Sequence, residues 1–278
     1  MEGLPRRAHL VTRALKNADA VVHLGAIVGD RACALDEKET IDVNFKAVDM
    51  ISKIASGLEI PRFVFASTCS VYGASPEIVD EQSRLNPVSL YATTKIDAEN
   101  LLLSRREPGF HPVILRLGTA FGWSRRPRFD LVVNLLAAKA HFENKAVIYN
   151  GRQWRPFVHV EDIARAFDVA LIAPLRAVSG EIFNVGDDSM NHRLDEVGDT
   201  LKQLRRSAEV VRETTPDVRD YRVSFSKIRT RLGFRSKVTL LDGMREIAAA
   251  LEQGAVEDYL APAYHNHRAS ELSAVAAG

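Results

Sequence analysis

Residues 63–73 read Phe63-Val64-Phe65-Ala66-Ser67-Thr68-Cys69-Ser70-Val71-Tyr72-Gly73, and after a polar loop the chain continues Tyr91-Ala92-Thr93-Thr94-Lys95. The stretch begins apolar and aromatic and turns abruptly to hydroxyl-bearing residues, as a buried parallel strand does where it reaches its carboxyl end. In open α/β sheets that end is where ligands bind. Pro87 and Ser89 open a helix, with Leu90, Ala98, Leu101 and Leu102 on its apolar face. Tyr91 and Lys95 are four residues apart on it, so they project from one face, one turn apart. A phenol beside a fixed ammonium is a tunable acid or base. The positive charge favours phenolate and draws its pKa down from about 10 toward working pH.

Tyr-x-x-x-Lys alone is a weak signal, since an exposed helix pair has the same spacing. The combination is specific: Thr68 just past a strand, Val71-Tyr72-Gly73 after it, and Tyr91-x-x-x-Lys95 one short loop later. It resembles the extended short-chain dehydrogenase/reductase family, in its branch of NAD-dependent nucleotide-sugar epimerases and dehydratases. The resemblance implies a Thr68–Tyr91–Lys95 catalytic triad, NAD as cofactor and a nucleotide sugar as substrate. It also implies an α/β fold, a Rossmann-like doubly wound parallel sheet with a small C-terminal substrate-binding lobe.

The 278 residues suffice for one large domain or two small ones. A net charge of +1 gives no reason to expect a nucleic-acid partner. Two cysteines, Cys33 and Cys69, do not make a disulfide framework and fit a reducing compartment. No run approaches the length of a membrane span, and the first residues lack the apolar core of a signal peptide, so a cytoplasmic location is the expectation.

Upstream, residues 8–17 read as a short helix and residues 19–26 as a buried strand ending in small residues. The resemblance places the backbone of Leu24, Gly25 and Ala26 beside the dinucleotide; His23 reads as a packed strand residue. A helix is predicted over 39–56, interrupted on its apolar face by Asn44. The family has an Asn there that braces the active-site strand, and Ser67, Leu117, Tyr91 and Lys95 complete the implied cofactor contacts. Downstream, strands are predicted over 113–117, 146–149 and 181–185, and helices over 129–142, 194–204 and 240–253. Thr119 stands where the family has an Asn that contacts the substrate diphosphate. The segment Arg155-Pro156-Phe157-Val158-His159-Val160-Glu161-Asp162 is the second strong match, and carries Arg155 over as a diphosphate ligand, a task suited to a planar, permanently charged fork. His159 and Asp162 read as braces of the next helix. Arg125, Arg126 and Arg128 form a basic loop, read as solvated surface or as phosphate contacts. Arg219 and Tyr221 read either as reaching the substrate's nucleotide or as solvent-exposed residues. His-x-x-Asp has no second ligand pair, so no metal is predicted.

The family opens with a strand, a Gly-x-x-Gly-x-x-Gly turn and a helix that cradle the cofactor pyrophosphate. No such stretch is present, so the resemblance starts about a fifth of the way into the family domain, as if N-terminally truncated. Residues 1–150 then read as a partial NAD-binding domain, 151–254 as a region completing the sheet and forming the substrate lobe, and 255–278 as a tail, frayed from 270. The strand around residues 20–24 would be an exposed edge, with Val21, Val22 and Leu24 uncovered, and NAD affinity would be weak. Within the branch, dehydration needs an acid just after the active-site Thr, where this chain has Cys69 and Ser70. Epimerase chemistry is therefore favoured, with a dehydratase or reductase as alternatives. A binding protein that kept the triad but lost the cofactor is the reading from another class; a homodimer is compatible with all of these.

Overall fold

A computed structural model describes residues 3–267. In chain order its elements are α1 (Gly3–Leu15), β1 (Ala20–His23), α2 (Asp30–Leu35), α3 (Glu37–Ile41), a π-helical turn (Asp42–Lys46), α4 (Ala47–Gly57), β2 (Arg62–Thr68), β3 (Ala74–Val79), α5 (Leu90–Ser104), β4 (His111–Leu117) and β5 (Thr119–Phe121). The second half contributes α6 (Val132–Phe142), β6 (Lys145–Tyr149), β7 (Trp154–His159), α7 (Val160–Ile172), α8 (Leu175–Val178), β8 (Glu181–Val185), β9 (Asn191–Arg193), α9 (Leu194–Leu204), β10 (Glu209–Glu213), β11 (Asp220–Val223), α10 (Ser226–Leu232) and α11 (Leu240–Glu252).

The central sheet is parallel throughout, in the order β1-β2-β4-β8. Alternation along β2 sends its side chains into two separate cores. Phe63 and Phe65 pack with Val48, Ala98, Leu102 and Ile114 on the α4–α5 face. Val64 packs on the other face with Val113, Leu115, Phe183 and residues of α7. Both faces are thus covered, which is why β2 reads as a continuous apolar run. This is the Rossmann-like, doubly wound arrangement. In register, Thr68 pairs with Leu117 and Leu117 with Val185, so these three residues end their strands side by side at the carboxyl edge.

A third core lies away from this sheet, between α6, α9, α11 and β6, with Phe121, Phe129, Leu136, Ile148, Met244 and Ile247 at its centre. Smaller pairings tie it to the sheet: β5-β7-β9, β6 with β10, and β3 with β11. Residues 121–148 therefore pack with residues 190–259, while β8, between them in sequence, returns to the main sheet.

Several elements depart from the sequence expectation for local reasons. The helix predicted over 39–56 is three pieces, because Asn44 in the π-helical turn points inward and is fully engaged there. The helix predicted from 129 starts at Val132, since Leu131 is extended and the Phe129 N–H donates to the Tyr264 carbonyl. Strands β3, β5, β9, β10 and β11 are short, and several are partly polar pairings without a periodic signature. At the edge strand β1, Val22 and Leu24 are exposed as expected, but Val21 is buried against Leu15 and Ala18, which corrects the expectation that all three would be uncovered. The tail beyond 267, including 270–278, lies outside the described residues.

Candidate functional site

Helix α5 is fixed at its start by Ser89, whose hydroxyl accepts from the Ala92 N–H at 3.3 Å. Its inward face carries Tyr91, Lys95 and Glu99, all buried. Lys95 Nζ donates to the Ala66 carbonyl at 2.8 Å and lies 4.7 Å from the Phe65 ring centroid and 6.0 Å from that of Tyr91. Thr68 ends β2 beside them; its hydroxyl accepts from the Ser70 N–H at 3.1 Å, capping a short 3-10 turn. The structure therefore brings Thr68, Tyr91 and Lys95 together at the carboxyl edge of the sheet.

The electrostatics correct one expectation. Burial pushes the Tyr91 phenol above its ordinary pKa and outweighs the neighbouring Thr68 hydroxyl and the Arg128 charge, which oppose it. Burial also lowers Lys95, to about 8, against the opposing pull of Cys33 and Glu99. In this buried setting desolvation dominates the charge interaction read from the spacing alone.

Around this centre, Asn44 Oδ1 accepts from the Ile27 N–H at 2.8 Å, and its Nδ2 donates to the Ile27 carbonyl at 3.0 Å and to Thr94 Oγ1 at 3.4 Å. It ties the loop after β1 to α5. Leu24 and Gly25 are exposed and Ala26 half-buried at the end of β1. His23 is stacked with Phe63 and Phe65, a packed strand residue as read from the sequence. The Ser67 hydroxyl donates into the protein, to Glu99, rather than toward the carboxyl edge.

A cavity of about 290 Å³ opens from the same end of the sheet. Polar lining comes from Ser70, Thr119, Arg155, Asp217, Arg219 and Tyr221; apolar lining comes from Leu131, from Val132, Leu135 and Leu136 of α6, and from Val147, Ile148 and Tyr149 of β6. Arg155 is buried and donates to Gln153 Oε1 at 3.1 Å and Asp217 Oδ2 at 3.2 Å. Arg219 holds Asp217 through two bonds, at 2.9 and 2.6 Å, and reaches Asp30 at 3.0 Å. Burial alone would raise the Asp217 carboxyl, but Arg219 and then Arg155 hold it down at about 2. Two guanidinium groups thus converge on one anionic group at the cavity wall.

A sequence profile of the NAD dependent epimerase/dehydratase family matches residues 3–186. The chain belongs to that family. A dTDP-glucose 4,6-dehydratase of Streptomyces niveus is 29% identical over 247 residues, covering 85% of this chain and 71% of that protein. The uncharacterized UDP-glucose epimerase YtcB of Bacillus subtilis (strain 168) is 32% identical over 176 residues, covering 62% and 54%. The solved structure of UDP-glucuronic acid 4-epimerase from Bacillus cereus, in complex with UDP-glucuronic acid and NAD, aligns with a TM-score of 0.78 at 25% identity, over 87% of this chain and 78% of that one.

Other residues singled out in the sequence of this epimerase/dehydratase family member have structural partners. His159 Nδ1 accepts from the Glu161 N–H at 3.3 Å, and its Nε2 lies 2.7 Å from Glu246. Asp162 accepts from the Lys237 and Val238 N–H groups at 3.1–3.2 Å. Arg126 donates to the Ala263 carbonyl, and Arg128 grips Asp130 through bonds of 3.0 and 2.9 Å, so neither is simply solvated. Among the described residues no group of His, Cys, Asp and Glu could hold a metal, and no helix is long and apolar enough to cross a membrane. Sequence reasoning missed Asp217, Asp30 and the α6–β6 wall, which come from segments far apart in the chain and carry no shared spacing.

Proposed function

We propose that this chain oxidises and re-reduces one carbon of a nucleoside-diphosphate sugar, as an epimerase. The nucleotide lies in the cavity and the reacting hydroxyl lies at Tyr91. The observation that carries the reading is continuity. Ser70 lines the cavity that Arg155, Arg219 and Tyr221 border, and it sits two residues past Thr68, whose hydroxyl it contacts. A diphosphate matches the paired guanidinium groups and Thr119, and a flat base matches the apolar face of α6 against β6. The UDP sugar and NAD bound to the Bacillus cereus epimerase are of this chemical class.

Tyr91 is placed to take the proton from the sugar hydroxyl once added positive charge at the site offsets the burial that raises its pKa and frees the phenolate, and Thr68 hydrogen-bonds the same oxygen. Lys95 keeps that end of the site positive. Its ammonium has three donors and bonds one acceptor here, the Ala66 carbonyl, so the other two suit a ribose diol. That fits the nicotinamide riboside half of NAD, beside Leu24, Gly25, Ala26 and Leu117, with the Asn44 and Ser67 side chains turned into the protein behind it. Gly25 and Gly29 precede the six-residue helix α2, which Gly29 N-caps, but they do not have the Gly-x-x-Gly-x-x-Gly spacing of a pyrophosphate cradle. NAD, when bound, supplies the hydride acceptor.

Elimination of water would need an acid next to Thr68. Cys69 is buried with its thiol pushed far up by burial, and Ser70 is no acid at neutral pH. The similarity to a dTDP-glucose dehydratase therefore does not carry dehydration over to this site. The test is product mass after incubation with UDP-glucose, dTDP-glucose or UDP-glucuronic acid at saturating NAD. A new sugar isomer of unchanged mass, separated from the substrate by chromatography, supports the reading; accumulation of a product lighter by one water overturns it.

A further inference from the structure

Three consecutive residues at the end of β2 are each engaged by a different residue on one face of α5. The Ala66 carbonyl accepts from Lys95, the Ser67 hydroxyl donates a hydrogen bond to Glu99, and Thr68 lies beside Tyr91. Tyr91, Lys95 and Glu99 are spaced by four, so they lie in one row along the helix. Glu99 itself is buried and held by Arg116 of β4, which donates Nε at 3.1 Å to each carboxylate oxygen and Nη2 at 2.6 Å. Arg116 Nη1 also donates to the Tyr72 hydroxyl at 3.0 Å, and Tyr72 in turn to Asn184 Oδ1 of β8 at 2.8 Å. One polar chain therefore runs from α5 through β2 and β4 to β8, behind the site and shut off from water.

A buried ion pair is a weak source of net stability, because desolvation cancels most of its attraction. What this one supplies is geometry: it pins helix to strand where the two reacting side chains must address one oxygen. We propose that Glu99, with Arg116 as its buried counter-ion, is a positioning residue of the site, gripping Ser67 so that Thr68 and Tyr91 are held in register. Glu99 touches neither substrate nor cofactor and acts through Ser67 and Lys95. Its negative charge also supports the Lys95 ammonium, which burial disfavours. The proposal rests on the assignment of Tyr91 and Thr68 made above. Its Lys95 arm can be judged without turnover.

Two variants test it. Ser67→Ala cuts the grip and leaves the Glu99–Arg116 pair intact, so the fold is spared an unpaired buried charge. Small displacements in a reacting site cost up to about 100-fold in rate. The expectation is a fall in kcat of about 10-fold or more with UDP-glucose and saturating NAD, KM within about twofold, and recovery in Ser67→Thr. Glu99→Gln is read by NMR of lysine labelled at Cε, with the Lys95 signal assigned by its loss in Lys95→Met. In the protein without ligands its midpoint, near 8 in the wild type, moves down by about one unit or more. An unchanged kcat in Ser67→Ala overturns the proposal, as does an unmoved Lys95 midpoint in folded Glu99→Gln. If Glu99→Gln does not fold, Ser67→Ala and Ser67→Thr decide it alone. Should Tyr91→Phe turn over like wild type, the assignment of the base fails, while the Lys95 midpoint still reports on Glu99.

Discussion

His23 shows how one buried residue sets the response of the fold to acid. Its ring is stacked between phenylalanines, its Nε2 is buried without a partner, and burial, helped by the Lys95 charge, lowers its pKa to about 4. The unfolded imidazole binds its proton from about 6.5, the folded one only near 4, so between those values the unfolded state holds more protons. Stability contributed by neutral His23 is complete above about 6.5 and is lost as pH falls toward 4, a swing on the order of 3 kcal/mol. Thermal melts from pH 7 to 4 should show that decline, and His23→Phe should remove most of it. A second residue-scale expectation concerns Arg155, which is buried against Asp217 in the cavity wall. If it holds a diphosphate, Arg155→Ala weakens UDP binding in calorimetry by about 2–3 kcal/mol. Arg155→Lys does not restore it, since an ammonium lacks the planar fork. Unchanged affinity would make Arg155 purely structural.

At the scale of elements, the π-helical turn carries the most information. Such turns are rare and concentrate at functional positions. Here the turn lets Asn44 satisfy both the N–H and the carbonyl of Ile27 while touching Thr94 one residue before Lys95. Asn44→Ala leaves those two backbone groups without their partner and should cost about 1–3 kcal/mol by chemical denaturation. It should also speed amide exchange in the loop after β1 while leaving β4 protected. If the exchange of that loop does not change, Asn44 does not brace it. The sequence already showed β2 and α5, because a two-sided apolar strand and a capped helix each have a local signature. It did not show the π turn, whose cause is a contact between residues 17 apart, nor the short strands, which exist only through their partners. The pKa of Tyr91 departs from the sequence expectation for a similar reason: the Lys95 spacing is visible in sequence, and the burial that raises the phenol is not.

Across the whole molecule, the site forms where the parallel sheet meets the second core. The sheet side, Thr68, Tyr91 and Lys95, was legible because two neighbouring segments in sequence supply it. The lobe side was legible only at Thr119, Arg155, Arg219 and Tyr221; Asp217, Asp30 and the α6–β6 wall join them through folding alone. In the proposed reaction these two sides act on one ligand, with the nucleotide in the cavity and the sugar at Tyr91. The most direct test follows nicotinamide absorbance after rapid mixing of the protein and saturating NAD with UDP-glucose, in wild type and Tyr91→Phe, with UDP affinity measured for both. The account predicts transient reduction of the nicotinamide in wild type, slowed by about 100-fold or more in Tyr91→Phe, the scale of a lost general base, with UDP affinity unchanged. Equal rates in the two proteins would contradict it.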